Sequence, residues 1–157
     1  MLYDVLIVVI ADWLVIPIVI VGGLAMLMTS PKGRLYQTLA RSVVAGMVAL
    51  LLAKCASLLY QGERPFVESG SAPKAAYLDN PGFPSDHALL VFAVAFIVWA
   101  ATKNVRLSIA LLIMAMLVAV GRVLALVHTP LDVTGGIVCA FVAVALVYGR
   151  QFFRLKT

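Results

Sequence analysis

Apolar positions along this chain fall into long unbroken runs, not into the stripes of amphipathic helices or the alternation of half-buried strands. Five runs are long enough, or nearly so, to cross ~30 Å of hydrocarbon at ~1.5 Å per residue: about Val5 to Met28, Leu39 to Tyr60, Ser85 to Thr102, Leu107 to Val127 and Pro130 to Phe153. They predict an all-α fold, a polytopic membrane bundle of about five transmembrane helices. The third run is the shortest. Its strictly apolar part extends only from Ala88 to Ala101, so it spans only if Ser85, Asp86 and His87 form its first turn. Short connections at Thr29 to Lys32 and at Lys103 to Val105 predict antiparallel neighbours. One connection is long, Gln61 to Pro84, and it carries Pro65, Pro73, Pro81 and Pro84 together with Glu63, Arg64, Glu68, Lys74 and Asp79. A long ordered loop in so economical a chain points to function.

Composition agrees with lipid as the solvent. Of 157 residues 64% are hydrophobic and 12% charged, against roughly half apolar in ordinary soluble domains. Disorder and a disulfide-stapled secreted module are excluded, and residues 1–157 read as a single membrane-embedded domain. Cys55 and Cys139 sit inside apolar runs with no metal-ligand spacing around them. No basic cluster precedes the first run, which is too long for a cleavable signal peptide, so it reads as a retained helix.

Charge then sets the sidedness. Lys32, Arg34, Arg41, Lys103, Arg106, Arg150, Arg154 and Lys156 fall near the same helix ends, which makes that face cytoplasmic and places the N-terminus and the loop at 61–84 outside. The net charge of +5 thus reports topology and requires no nucleic-acid partner.

Four basic residues break that trend by lying on or near the outer side: Lys54, Arg64, Lys74 and Arg122. Lys54 and Arg122 are embedded in apolar helices, where an unpaired cation costs at least ~2.5 kcal/mol and marks a functional site by default. Both histidines, His87 and His128, stand at outer helix ends beside Asp86 and Asp132. In Gly-Phe-Pro-Ser-Asp-His, residues 82 to 87, Ser85 is a natural N-cap, and the free N–H groups after it form an anion site next to His87. In Arg122-x5-His128-x3-Asp132, Thr129 can cap and Pro130 suits the first helical position. Asp132 then comes beside His128, where a carboxylate holds one imidazole tautomer and leaves the other nitrogen free to attack. Taken singly, each of these residues has a plain structural role as an interfacial group, a snorkelling cation or a cap. Two histidines, three cations and an oriented carboxylate at one membrane depth do not. Asp12 reads as a helix-packing or cavity residue, with a proton or substrate path as the alternative, and Asp4 is less informative. Lys74 and Glu68 read as solvated loop charges, and Trp13, Trp99 and the methionines as packing or interfacial groups.

Arg64-Pro65, Pro84-Ser85-Asp86-His87 and Arg122-x5-His128-x3-Asp132 resemble, in order, the three signatures of the type 2 phosphatidic acid phosphatase superfamily of membrane lipid phosphatases. The family pattern places six residues between a lysine and Arg-Pro, whereas nine follow Lys54, and Asp86 stands where the family usually has glycine. That acidic variant resembles the bacterial undecaprenyl-diphosphate phosphatase branch. The resemblance implies a bundle of six helices in many members, of which this chain supplies five. It implies a metal-free and cofactor-free hydrolase in the bacterial inner membrane with its site facing outward. By position, His128 would be the nucleophile that becomes a phosphohistidine, Asp132 its orienting partner and His87 the acid for the leaving oxygen. Arg64, Arg122, Ser85, Lys54 and Asp86 would make up the phosphate site. The favoured substrate is an isoprenyl diphosphate. Phosphatidic acid, phosphatidylglycerophosphate and other polyprenyl phosphates are alternatives, and a protein that binds or transports a phosphate lipid without turnover is a further one. A vanadium-dependent haloperoxidase is disfavoured because those enzymes are soluble.

Overall fold

The computed structural model describes residues 2–30, 32–77 and 81–153. Asp79, Arg154 and Lys156, assigned above to the loop and to the basic face, lie outside the described residues. The first span is α1 (Leu2–Val8), a π-helical turn (Val9–Trp13) and α2 (Val15–Thr29) in unbroken succession. After a 3-10 turn (Lys32–Arg34) come α3 (Leu35–Leu59), the short α4 (Pro65–Ser69), α5 (Asp86–Thr102), α6 (Val105–Leu124), α7 (Pro130–Tyr148) and α8 (Arg150–Phe153). The described residues contain no strand.

Four of these segments, Leu2–Thr29, Leu35–Leu59, Val105–Leu124 and Pro130–Tyr148, are long and apolar enough to cross a membrane. The chain is an integral membrane protein. The expected fifth span, α5, has 17 residues and reaches about 25 Å at 1.5 Å per residue. It lies at the centre of the bundle against α2, α3, α6 and α7, buried around most of its circumference with Leu90 exposed, as a helix that is apolar on all sides should be.

Between helices in lipid there is no hydrophobic drive, so close packing of small side chains holds them together. The buried positions of α3 are Ala45, Ala49 and Ala53, one stripe at four-residue spacing, and the small residues Gly136, Ala140 and Ala143 are among those buried on α7. Leu50, Leu51, Leu58, Met116 and Leu146 are exposed on the outside, where acyl chains replace water as the surroundings.

The elements differ from the sequence expectation in several places, among them the start of α3 at Leu35, four residues before the expected Leu39. Inside the long connection, Arg64-Pro65 starts α4, which stops at Gly70 in the left-handed conformation (φ 64°). α6 ends at Leu124, three residues early, because Leu126 turns to φ 61°. α7 stops at Tyr148 because Gly149 takes φ 52°. At the face opposite the long connection, Arg41 Nη1 donates to Gln151 Oε1 at 3.2 Å, Lys103 Nζ donates to the Gln151 carbonyl and Trp99 Nε1 to that of Phe152. The first helix begins at the loop face, where Asp4 pairs with Lys74 at 3.0 Å.

Candidate active site

Three helix ends meet at the loop face: the start of α5, the end of α6 and the start of α7. The starts of α5 and α7 are drawn together by glycine. A Cβ at Gly136 would lie 2.6 Å from the Ser85 carbonyl oxygen and 3.0 Å from Leu89 N, so only a residue without a side chain lets α7 approach the first turn of α5 this closely. The Ser85 amide then donates to the Asp132 carbonyl at 2.9 Å, which ties the two helix starts directly.

At the start of α7 the capping box is complete: Thr129 Oγ1 accepts from Asp132 N at 3.1 Å, and Asp132 Oδ2 accepts from Thr129 N at 2.6 Å. The same Oδ2 stands 3.7 Å from His128 Nδ1, with both side chains almost fully buried. Nδ1 faces the carboxylate, and the imidazole lines a cleft of about 160 Å³ together with Arg64, Arg122, His87, Asp86, Ala76 and Tyr77. Burial is the largest influence on His128 and holds its pKa below the ordinary histidine value, the neighbouring arginines pushing the same way while Asp132 opposes them. That direction favours the neutral ring, which carries an unprotonated nitrogen.

Both arginines of the signatures are buried on this cleft. Arg64 Nη1 donates to the Val127 carbonyl at 2.7 Å, and its guanidinium lies 5.6 Å over the Tyr77 ring. Arg122, 1% exposed, gives Nη1 to Asp12 Oδ1 at 2.6 Å and Nη2 to the Ala76 carbonyl at 2.8 Å. Arg122 Nε and His128 Nδ1 have no hydrogen-bond partner among the described residues. His87, on the first turn of α5, is half-buried on the same cleft, and its Nε2 is 3.9 Å from Asp12 Oδ1.

Ser85 and Lys54 are placed differently from these five. Ser85 is fully buried beneath the cleft, where its hydroxyl accepts from Ala88 N at 3.5 Å as the N-cap of α5. Lys54 is exposed on α3 in an adjoining groove of about 340 Å³ lined also by Leu50, Ser57, Leu58, Gln61 and Phe83. Asp86 lies at the junction, on the wall of both spaces. Asp12, read from sequence as a packing or cavity residue, is the ion-pair partner of Arg122. The signal was an acid and an arginine each set in an apolar span, since two such charges lower their cost by finding one another. Tyr77 carried no comparable signal.

The arrangement offers an oriented neutral imidazole, a second imidazole across the cleft and two buried cations, a set suited to an anion that is attacked as well as held. Residues 34–156 match the PAP2 superfamily. The chain belongs to that family. Among curated PAP2 proteins, YbjG of Escherichia coli (strain K12), provisionally named an undecaprenyl-diphosphatase, is 31% identical over 108 residues, which cover 68% of this chain and 53% of YbjG. The bacitracin transport permease protein BcrC of Bacillus licheniformis is 30% identical over 109 residues, 68% of this chain and 52% of BcrC. The chain thus matches about half the length of each of these PAP2 relatives. No solved structure matches it significantly.

Proposed function

We propose that this PAP2 chain, as one membrane-embedded domain, is a lipid phosphatase that hydrolyses an isoprenyl diphosphate to the monophosphate on the extracytoplasmic side of a bacterial inner membrane. The observation that carries the reading is the His128–Asp132 pair on a cleft walled by two buried arginines. Holding an anion needs only the cations. An imidazole with one nitrogen turned to a carboxylate serves attack.

In the reaction, the free nitrogen lone pair of His128 forms a bond to the terminal phosphorus while the bond to the bridging oxygen breaks. The leaving oxygen takes the bond pair and, from His87, a proton. Water deprotonated by His87 then attacks the phosphohistidine, and orthophosphate departs with His128 restored. Arg122 and Arg64 would counter the charge on the equatorial oxygens, which supplies most of the rate in phosphoryl transfer. Ser85 would serve by capping the helix whose free N–H groups face the anion, and Asp86 by standing where cleft and groove meet. Lys54 and the apolar wall of the groove beside it suit the part of the substrate that lies outside the cleft, its second phosphoryl group and the first isoprenyl units. The undecaprenyl-diphosphatase name of YbjG and the bacitracin transport name of BcrC both fit a polyprenyl diphosphate. The latter also leaves a second reading, in which the lipid is bound or transported without turnover.

Release of phosphate from farnesyl diphosphate, farnesyl monophosphate, phosphatidic acid and p-nitrophenyl phosphate by the detergent-purified chain separates these readings. The diphosphate is expected to be hydrolysed best, with an acid-labile phosphoenzyme trapped on quenching. His128→Ala should abolish the phosphoenzyme with every substrate. His87→Ala should lose more on phosphatidic acid, whose leaving alkoxide needs a proton, than on p-nitrophenyl phosphate, whose leaving group does not. Binding of the lipids without phosphate release would establish the second reading. Phosphoenzyme formation in His128→Ala would overturn the assignment of the nucleophile.

A further inference from the structure

We infer that Asp12, which precedes the matched residues 34–156, is a positioning residue of the anion site: it holds the Arg122 guanidinium and the Ala76 backbone in one clamp that sets the wall of the cleft. The inference rests on the reading of the cleft as a phosphoryl site.

The clamp has four members at hydrogen-bond distance. Asp12 Oδ1 takes Arg122 Nη1 at 2.6 Å, and Asp12 Oδ2 takes the Ala76 amide at 2.9 Å. Arg122 Nη2 donates to the Ala76 carbonyl at 2.8 Å. The carboxylate, the guanidinium and both backbone groups of Ala76 thereby close a ring of contacts. A guanidinium is a rigid planar fork, so fixing its two terminal nitrogens fixes the direction of the third. Asp12 and Ala76 hold Nη1 and Nη2, and Nε is the edge of the buried Arg122 without a hydrogen-bond partner among the described residues. Arg122 itself lines the cleft.

The backbone is shaped for this contact. Asp12 belongs to the π-helical turn Val9–Trp13, and such turns insert a residue into the helical ladder and re-aim the side chains on it. Beside it, a Cβ on Gly121 would come within 3.0 Å of Ala11 N and 3.1 Å of Ala11 Cα, so glycine next to Arg122 admits the π turn against α6. Ala11 is wholly buried there. The effect reaches the second arginine, because Ala76 leads directly into Tyr77, whose ring lies under Arg64. One carboxylate on the first span thus orients Arg122 directly and Arg64 through the loop.

The test uses the full chain in detergent, with farnesyl diphosphate turnover and orthovanadate affinity, read as thermal stabilisation, measured in parallel. Asp12→Ala is expected to lower kcat/KM and vanadate affinity about tenfold, the scale of a lost charge-assisted contact that orients a binding group. Asp12→Asn keeps the volume but can satisfy only one of the two donors, so an intermediate loss is expected, and it serves where the alanine variant does not fold. In an Arg122→Gln background, Asp12→Ala should lower kcat/KM by clearly less than it does in wild type, since the direct contact with Arg122 is already gone and only the path through the loop remains. A cysteine at Ala75, with Cys55 and Cys139 replaced, should react several times faster with a maleimide when Asp12 is alanine, because the loop has lost one of its anchors. Both Asp12 variants within about twofold of wild type, or full additivity with Arg122→Gln, would overturn the inference. If wild type binds vanadate without releasing phosphate, the phosphatase reading fails and the vanadate arm alone decides the role of Asp12. If wild type binds no vanadate, both fall.

Discussion

His128 shows how one buried contact sets a chemical role. The imidazole is sealed among apolar and cationic neighbours, which favours its neutral form, and the Asp132 carboxylate at 3.7 Å resists that preference without reversing it. The consequence for pH is definite in sign. A nucleophile must be unprotonated, so if His128 is the attacking group, activity should persist as pH falls through the ordinary histidine range and fail only below it. Removing the carboxylate charge leaves burial and the arginines unopposed, so Asp132→Asn should move that acidic limb to still lower pH. It should also cut kcat by about a hundredfold or more, because the ring loses the group that fixes its tautomer. A kcat/KM profile between pH 4 and pH 8 for both proteins, on p-nitrophenyl phosphate, checks the shift. A limb displaced upward in Asp132→Asn would show that the carboxylate does not face a protonatable His128. The residues involved here were legible in the sequence because their chemistry requires fixed types at fixed spacing: Thr129, Pro130 and Asp132 define a helix start, and the capping box they form brings the carboxylate to His128. The pairing of Asp12 with Arg122 was not legible from spacing, since 110 positions separate them and no local rule joins residues so far apart; only the cost of two charges in apolar spans pointed to it.

At the scale of elements, the site depends on how closely helix starts approach, and spacing along one segment says little about that. Apolar runs located every long helix to within a few residues, because hydrophobic length is a property of the segment alone. They missed α4, five residues long with proline at its first position, and the π turn within the first span, since both are too short to leave a periodic signal. They also gave no reason for Gly135 and Gly136, which stand at the α5–α7 crossing. A Cβ on Gly135 would strike the Phe83 ring at 2.4 Å, a side chain that can turn, whereas one on Gly136 meets the Ser85 carbonyl and Leu89 amide. Gly136→Ala should therefore force the two backbones apart, at about 1–3 kcal/mol for an overpacked contact. Because the Ser85 amide donates to Asp132 across this crossing, activity should fall together with thermal stability in detergent. Gly135→Ala is expected to be milder on both counts, and equal losses from the two substitutions would show that the approach at Gly136 is not what seats α5.

For the whole molecule, the distribution of charge and the position of the cleft make one argument about direction. Arg41 and Lys103 gather at Gln151, on the face away from the cleft, and Arg34, Arg106 and Arg150 belong to the same set of helix ends. By the bias that keeps Lys and Arg of short connections in the cytoplasm, that face would be the inner one in the proposed orientation. The cleft, the described parts of the loop (residues 61–77 and 81–84) and the start of the first helix at Asp4 share the other face. In the proposed orientation the cleft opens outward, which suits a substrate whose phosphates hang from the outer leaflet. Ser71 lies exposed on the loop and Arg34 is exposed on the opposite face, so the two report on the two sides. With Cys55 and Cys139 replaced, a cysteine at Ser71 should react in intact cells with a maleimide that cannot cross the membrane, and one at Arg34 only after the membrane is opened by detergent. The contrast should be large, because a sealed bilayer excludes the reagent and does not merely slow it. Labelling at Arg34 alone would place the cleft in the cytoplasm, and the proposed substrate would then have to be drawn from the inner leaflet.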